Sequence, residues 1–355
     1  MSGALVARLD SAGDVLIAGP AVRAVAATHG PVTLLVGPRG RAAAQLLPGV
    51  RAVVEWQAPW VDFDSPPVTA AHVDRLLAAL GEAAPDRVYI ATSFHQSPLP
   101  LALLCRMAGV PWIGAISEDY PGTLLDLRHQ VPAGIPEPER ALSLVRAGGC
   151  ELPPDDAGEL RVTPQELSAD LRRVIGPGDF VVFHPGAAVP ARQPSVRRSE
   201  RMVAALVAAG HRVVVTGDAA ERGQTAFVAG DVAVDLGGRT SFAELAAVFA
   251  AARVVVAPNT GPAHLAAAVG TPVVSLFAPV VPASQWMPYA RRVIRLGDQH
   301  APCRDSRART CPVPGHPCLD GITDAEVLSA VEQLGDRHDR DDDDRHASVR
   351  AAAGR

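Results

Sequence analysis

The 355-residue chain is long enough for two domains of ordinary size, and its 48% hydrophobic content excludes wholesale disorder. A net charge of -5, from 33 basic and 38 acidic side chains, gives no electrostatic footprint for nucleic acid. No run reaches the ~20 apolar residues of a membrane span, and Met1-Ser2-Gly3 lacks the basic region and apolar core of a secretory leader. The expectation is a cytoplasmic protein, with peripheral membrane association left open. The basic set contains no lysine, and heavy use of alanine, arginine, glycine and proline weakens propensity arguments.

In chain order, Ala4–Leu9 reads as an apolar strand interrupted by Arg8, and Asp10–Asp14 as a turn. Val15–Ala27 reads as a helix kinked at Pro20. Strands are expected at Val32–Val36, Ala52–Glu55, Arg87–Ala91 and Trp112–Ile116, with helices at Gly40–Leu47, Ala70–Ala83 and Leu99–Ala108 between them. Trp56–Pro67 is an aromatic, proline-rich loop, and Ser117–Gly134 a long polar loop. Pro138–Gly148 reads as a helix, and the acidic, proline-rich Glu151–Thr163 as a linker.

The pattern then restarts. Phe180–Phe183 is a strand followed by the turn His184-Pro185-Gly186, and Arg192, Arg197 and Arg198 fall in a loop before helix Ser199–Ala209. His211–Thr216, Asp231–Asp235 and Val293–Leu296 are further strands; Ser241–Ala252 is a helix with a capping box from Ser241 and Glu244. Asp324–Leu334 is the last helix, and 336–355, with Asp341–Asp344, reads as a disordered tail. The strand–helix alternation predicts an α/β fold of two doubly wound, Rossmann-like domains facing across a cleft: 1–165, 166–335 and then the tail.

The most informative stretch is Arg253–Pro279. Val254–Ala257 is a buried strand, Thr260 can cap a helix opened by Gly261 and Pro262, Gly270 ends it, and Val273–Phe277 is the next strand. Small residues in such a turn let backbone approach a ligand, and the helix start suits a phosphate or pyrophosphate. Many such turns bind nothing.

Asp14, after Gly13 in the first turn region, can act as a general base or as an ordinary helix cap. Arg192 can meet the charge of a departing phosphate or stand in solvent. Glu221 can accept from ribose hydroxyls or favour a helix dipole, and His184 and His264 can donate to phosphate or serve the core. Cys303, Cys311 and Cys318 have no C-x-x-C pairing; a zinc site with His300 or His316 would be irregular.

Asn259-Thr260-Gly261-Pro262-Ala263-His264-Leu265-Ala266-Ala267-Ala268, followed by Gly270-Thr271-Pro272-Val273-Val274, resembles the C-terminal signature of glycosyltransferase family 9, the heptosyltransferase-like enzymes. Arg8–Leu16 with Pro20-Ala21, His184-Pro185-Gly186 with Arg192, Thr216-Gly217 with Glu221, Leu236–Ser241 and the Cys303–Thr323 segment resemble its other motifs in order. The resemblance spans roughly Leu5 to Leu334. It implies the GT-B architecture, with an acceptor on the N-terminal side and a nucleotide sugar in the C-terminal domain. It implies inverting transfer with no metal and no cofactor beyond the donor, ADP-heptose being the family's best-known donor.

In that reading Asp14 is the base and Arg192 stabilises the diphosphate. Gly13, His184, Gly186, Asn259, Thr260, Gly261 and His264 serve the donor and its phosphates, and Glu221 the ribose. The acceptor is a glycan, a lipid-linked sugar or a small molecule, lipopolysaccharide and other cell-surface glycans among them. Arg192 replaces the family's usual lysine, its following tryptophan is absent, Asn259 stands where many members have aspartate, and Ala278-Pro279-Val280 replaces Gly-Pro-Thr. A sugar-nucleotide epimerase or hydrolase, and an inactive nucleotide-sugar-binding protein, are the alternatives.

Overall fold

The computed structural model describes residues 3–61, 65, 67–93 and 95–335. The expected tail lies outside these residues, as do 62–64 and 66 of the aromatic loop. The chain divides into two compact units. One runs through Pro164 and takes in Ser284–Tyr289; the other comprises Gln165–Ala283 and the chain from Ala290 on. Tyr289 donates its hydroxyl to Glu139 Oε1 at 3.0 Å, which ties the late segment to the first unit.

The first unit holds strands β1 (Ala4–Arg8), β2 (Val32–Val36), β3 (Val50–Glu55), β4 (Arg87–Ile90), β5 (Trp112–Ile116) and β6 (Leu127–His129) in the order β3-β2-β1-β4-β5-β6. Every neighbouring pair is parallel. All five residues of β1 are buried, because helices cover both faces of a parallel sheet. Leu5, Leu35, Leu76, Leu80, Val88 and Leu101 anchor one of its packed layers.

The second unit repeats the plan with β7 (Val181–Phe183), β8 (Val213–Val215), β9 (Val234–Asp235), β10 (Val254–Pro258), β11 (Val273–Leu276) and β12 (Val293–Leu296), in the order β12-β11-β10-β7-β8-β9. These pairs are parallel too. Counted from its own first strand, each sheet has the dinucleotide-fold order 3-2-1-4-5-6. The direction of winding reverses between β1 and β4 in one unit and between β7 and β10 in the other. Ligands of such sheets sit beyond the strands' carboxyl ends at these switch points.

The expected doubly wound units are present, with five local corrections. The kinked helix Val15–Ala27 is two helices, Ala12–Ile17 and Gly19–His29, broken at Ala18. Pro20 needs no hydrogen-bond acceptor in the first turn of the second helix, so the chain restarts there instead of bending. The polar loop Ser117–Gly134 contains β6, which pairs with β5 through Gly114↔Leu127 and Ala115↔Arg128.

The Glu151–Thr163 linker is fixed, not loose. Arg23 Nε contacts Asp156 Oδ2 at 2.6 Å, Thr163 N donates to Leu46 O at 2.7 Å, and Leu160 and Val162 are buried. Arg197 and Arg198 belong to helix Val196–Ala208, whose cap Ser195 accepts from Arg198 N at 3.2 Å. A further helix, Ala169–Ile175, follows the cap Ser168. Among the described residues no helix is long and apolar enough to cross a membrane.

Candidate functional site

At the first switch point the strand β1 ends in Arg8, only 1% exposed. A buried guanidinium must be paired. One NH2 donates to Asp14 Oδ1 at 2.9 Å and to Ser93 Oγ at 2.8 Å, and Nε faces Asp10 Oδ2 at 3.0 Å as a charge contact without hydrogen-bond alignment. Burial alone would lower the Arg8 pKa; Asp10, Asp14 and Glu137 outweigh it and raise it. Asp14 Oδ2 accepts from Ser11 Oγ at 2.6 Å and from Ser11 N at 3.2 Å. Gly13 and Asp14 therefore sit inside the first turn of helix Ala12–Ile17. Both the helix-cap role and an oriented carboxylate are present in the same side chain.

Asp10 lies deeper. Burial raises its pKa to about 6, against the opposing pull of Arg8, and Gln96 Nε2 donates to its Oδ1 at 2.5 Å. Glu137, 1% exposed, is also raised by burial, against Arg8 and Arg140. Arg8 thus serves several carboxyl groups at once, and the surroundings resolve the imbalance by disfavouring ionisation of the two most buried. Of this group the sequence reading singled out only Asp14. The signal for the rest was an arginine in an otherwise apolar strand, which ends where ligands bind.

At the second switch point β7 lies between β10 and β8. His184 N donates to Val256 O at 2.9 Å and Thr216 N to Phe183 O at 3.0 Å, so the turns after these strands share one edge. His184 Nδ1 pairs with Thr216 Oγ1 at 3.0 Å. Burial lowers the imidazole pKa to about 4, so it is neutral at pH 7 and can offer a phosphate an N–H but no charge. Glu221, the N-cap of helix Arg222–Ala229, accepts from Asp218 N at 2.8 Å through Oε2; burial raises its pKa. Its carboxylate covers Gly186: a Cβ there would run into Oε1, so a larger residue would displace the Glu221 carboxylate from this position.

Ala187 N donates to Gln193 Oε1 at 3.0 Å, folding the loop that carries Arg192 back on the His184 turn. Arg192 ends the one-turn helix Pro190–Arg192 and is half-buried. Asn259 follows β10, buried, with Oδ1 accepting from Ala278 N at 3.3 Å; its Nδ2 is buried with no hydrogen-bond partner. Thr260 occupies the N-cap position of helix Gly261–Ala268 in extended backbone, but its hydroxyl makes no capping bond. Gly261 opens that helix, and His264 is buried in its first turns.

The second unit therefore gathers His184, Gly186, Glu221, Asn259, Thr260, Gly261 and His264 at one sheet edge, with Arg192 on a loop rooted there; Gly13 and Asp14 belong to the first unit. All five cysteines are free. The thiols of Cys303, Cys311 and Cys318 interact with one another, and burial pushes Cys318 up to about 12. Among the described residues no three His, Cys, Asp or Glu side chains are placed to hold a metal ion.

The family model for glycosyltransferase family 9 (heptosyltransferase) matches residues 73–316, more than half of the chain. The chain belongs to glycosyltransferase family 9. A curated relative, lipopolysaccharide heptosyltransferase 3 of Escherichia coli, is 35% identical over 102 residues, a match that spans 28% of this family 9 chain and 28% of the relative. Among solved structures, E. coli ADP-heptose lps heptosyltransferase II aligns with a TM-score of 0.73 at 19% identity, covering 95% of this chain and 99% of the other. A family 9 glycosyl transferase from Veillonella parvula aligns with a TM-score of 0.76 at 15% identity, covering 94% and 97%. Both likenesses concern the fold, two Rossmann-like domains of the GT-B kind.

Proposed function

We propose that this chain is an inverting glycosyltransferase that moves a sugar from a nucleoside-diphosphate sugar to a hydroxyl of a glycan, lipid-linked or small-molecule acceptor. The observation that carries the reading is that each switch point holds one of the two kinds of group the transfer needs. The first presents Asp14, a carboxylate oriented by Arg8 and Ser11. The second presents a glycine-lined edge with a neutral histidine, a carboxylate over Gly186 and a helix N-terminus.

Asp14 takes the proton of the acceptor hydroxyl, whose oxygen attacks the anomeric carbon while the bond to the diphosphate breaks on the opposite face. Arg192, the Thr260 hydroxyl, the Gly261 N–H and His264 meet the charge left on the diphosphate. Glu221 accepts from the ribose hydroxyls, and Asn259 lies toward the donor sugar. The donor is the whole of the added chemistry; no cofactor is called for. Heptose from ADP-heptose is the first donor to try, because the fold relative named above acts with it.

The test is thermal stabilisation by ADP, UDP, GDP, TDP and CMP. A nucleotide at 100 times its Kd is expected to add about 2.7 kcal/mol. Preference for one diphosphate names the donor class for turnover assays; no response to any of them sinks the pyrophosphate role of Thr260–His264.

A further inference from the structure

The loop that carries Arg192 is pinned on both sides of that residue by a segment far along the chain. Ala191 N donates to Arg309 O at 2.9 Å, and Ser195 N donates to Asp320 Oδ1 at 2.7 Å. Ala191 is also buried in the core layer that holds Cys303, Cys318 and Leu319. Arg192 N donates to Val189 O at 2.9 Å, which closes the short turn Pro190–Arg192.

The late segment is itself fixed to the second switch point. Asp305 N donates to Pro279 O at 2.8 Å and Arg307 N to Val280 O at 2.9 Å. These acceptors follow Ala278, whose N–H is bonded to Asn259 Oδ1. A line of bonds therefore runs from Asn259, past the end of β11, through Arg307 and Arg309 to Ala191. Gln193 ties the same loop to the turn after β7.

The contact at Asp320 differs in kind from the other ties to this segment. It is made by a side chain, and its acceptor is a carboxylate, which gives the stronger sort of hydrogen bond. An arginine on a free loop must lose backbone and side-chain freedom when it meets an anion. On a loop already pinned it loses less, so more of the attraction appears as affinity. We infer that Asp320 is a positioning residue for the diphosphate site: it holds the Arg192 loop in place and so raises the affinity for a nucleoside diphosphate without touching it. The inference rests on the transferase reading, which puts Arg192 at the diphosphate.

A merely structural role has a different signature. Ser195 is also the N-cap of helix Val196–Ala208, and Arg198 of that helix pairs with Asp324 Oδ1 at 2.6 Å. Removing Asp324 loosens the same helix and leaves the ties of the loop intact.

The test is calorimetric binding of ADP, UDP and GDP, and of AMP, UMP and GMP, to the full chain, with a thermal melt of each sample. The parent is expected to bind one diphosphate about tenfold tighter than its monophosphate, and Arg192→Ala to abolish that preference. Asp320→Ala should reduce it severalfold. Asp320→Asn, which keeps an acceptor oxygen, should restore most of it, and Asp324→Ala should leave it unchanged even with a lower melting temperature. In a chain that already carries Arg192→Ala, Asp320→Ala should weaken the diphosphate no further. A preference that survives Asp320→Ala, that falls equally in Asp324→Ala, or an Asp320→Ala loss that persists without Arg192 would overturn the inference and leave the diphosphate site standing. A preference that survives Arg192→Ala would overturn it as well. No preference for any diphosphate in the parent removes the transferase reading, and this inference with it.

Discussion

Replacing Asp14 by Asn keeps the side chain's size and removes its capacity to take a proton. Turnover is expected to fall by about 10²-fold or more, while the stabilisation by the preferred nucleotide stays as in the parent chain. Retained turnover would end the base assignment without touching the fold. His184 allows a different kind of test. Its pKa is near 6.5 in an unfolded chain and about 4 when buried. Between those values the unfolded state binds the extra proton, so the stability that goes with a neutral His184 is present above pH 6.5 and lost as pH falls toward 4. The lowering is worth roughly 3 kcal/mol. Asp10 runs the other way: burial raises it from 3.8 to about 6, so its stability contribution is lost as pH rises through that window. Denaturant melts of the parent and of His184→Gln both retain Asp10, and their difference isolates the histidine. The parent is expected to lose more stability than the variant between pH 6.5 and 4; parallel losses would contradict the buried, neutral imidazole.

At the level of single elements, the helix Phe242–Ala251 delivers the chain into β10, and its cap is well formed. Ser241 Oγ accepts from Glu244 N at 3.2 Å and Glu244 Oε2 from Ser241 N at 2.8 Å. Ser241→Ala is expected to cost about 1 kcal/mol in a denaturant melt and to leave nucleotide affinity alone. Caps and buried β-branched runs of this kind were plain in the sequence, and so were the turns at His184 and Thr260. Elements without a local signal were not. The strand β6 has three residues and exists because the edge of β5 offers it a partner. The Glu151–Thr163 segment has linker composition, yet Arg23, far away in the chain, pins it down. The ion cluster around Arg8 draws on residues from β1, the turn after β4 and the helix Glu137–Ala147, so no single window of sequence contains it. Asp14 was legible because a motif carries it, and its supporting cast was not.

For the molecule as a whole, the two units make separate commitments. Hydrogen exchange with the preferred nucleotide is expected to slow the turns after β7, β8 and β10, and to leave the first unit unchanged near Asp14. Protection centred on residues 10–14 instead would reverse the donor assignment. The division between the units also bears on how such chains change over time. Tyr289 sits against Glu139, so the first unit is completed by residues encoded long after its own strands have ended. A genetic crossover at residue 165 that paired this first half with a foreign second half would separate Tyr289 from Glu139. Inheritance of the first unit is therefore linked to a short patch that lies within the second half of the sequence, and chimaeras that carry 284–289 along with the first half are the ones expected to remain intact.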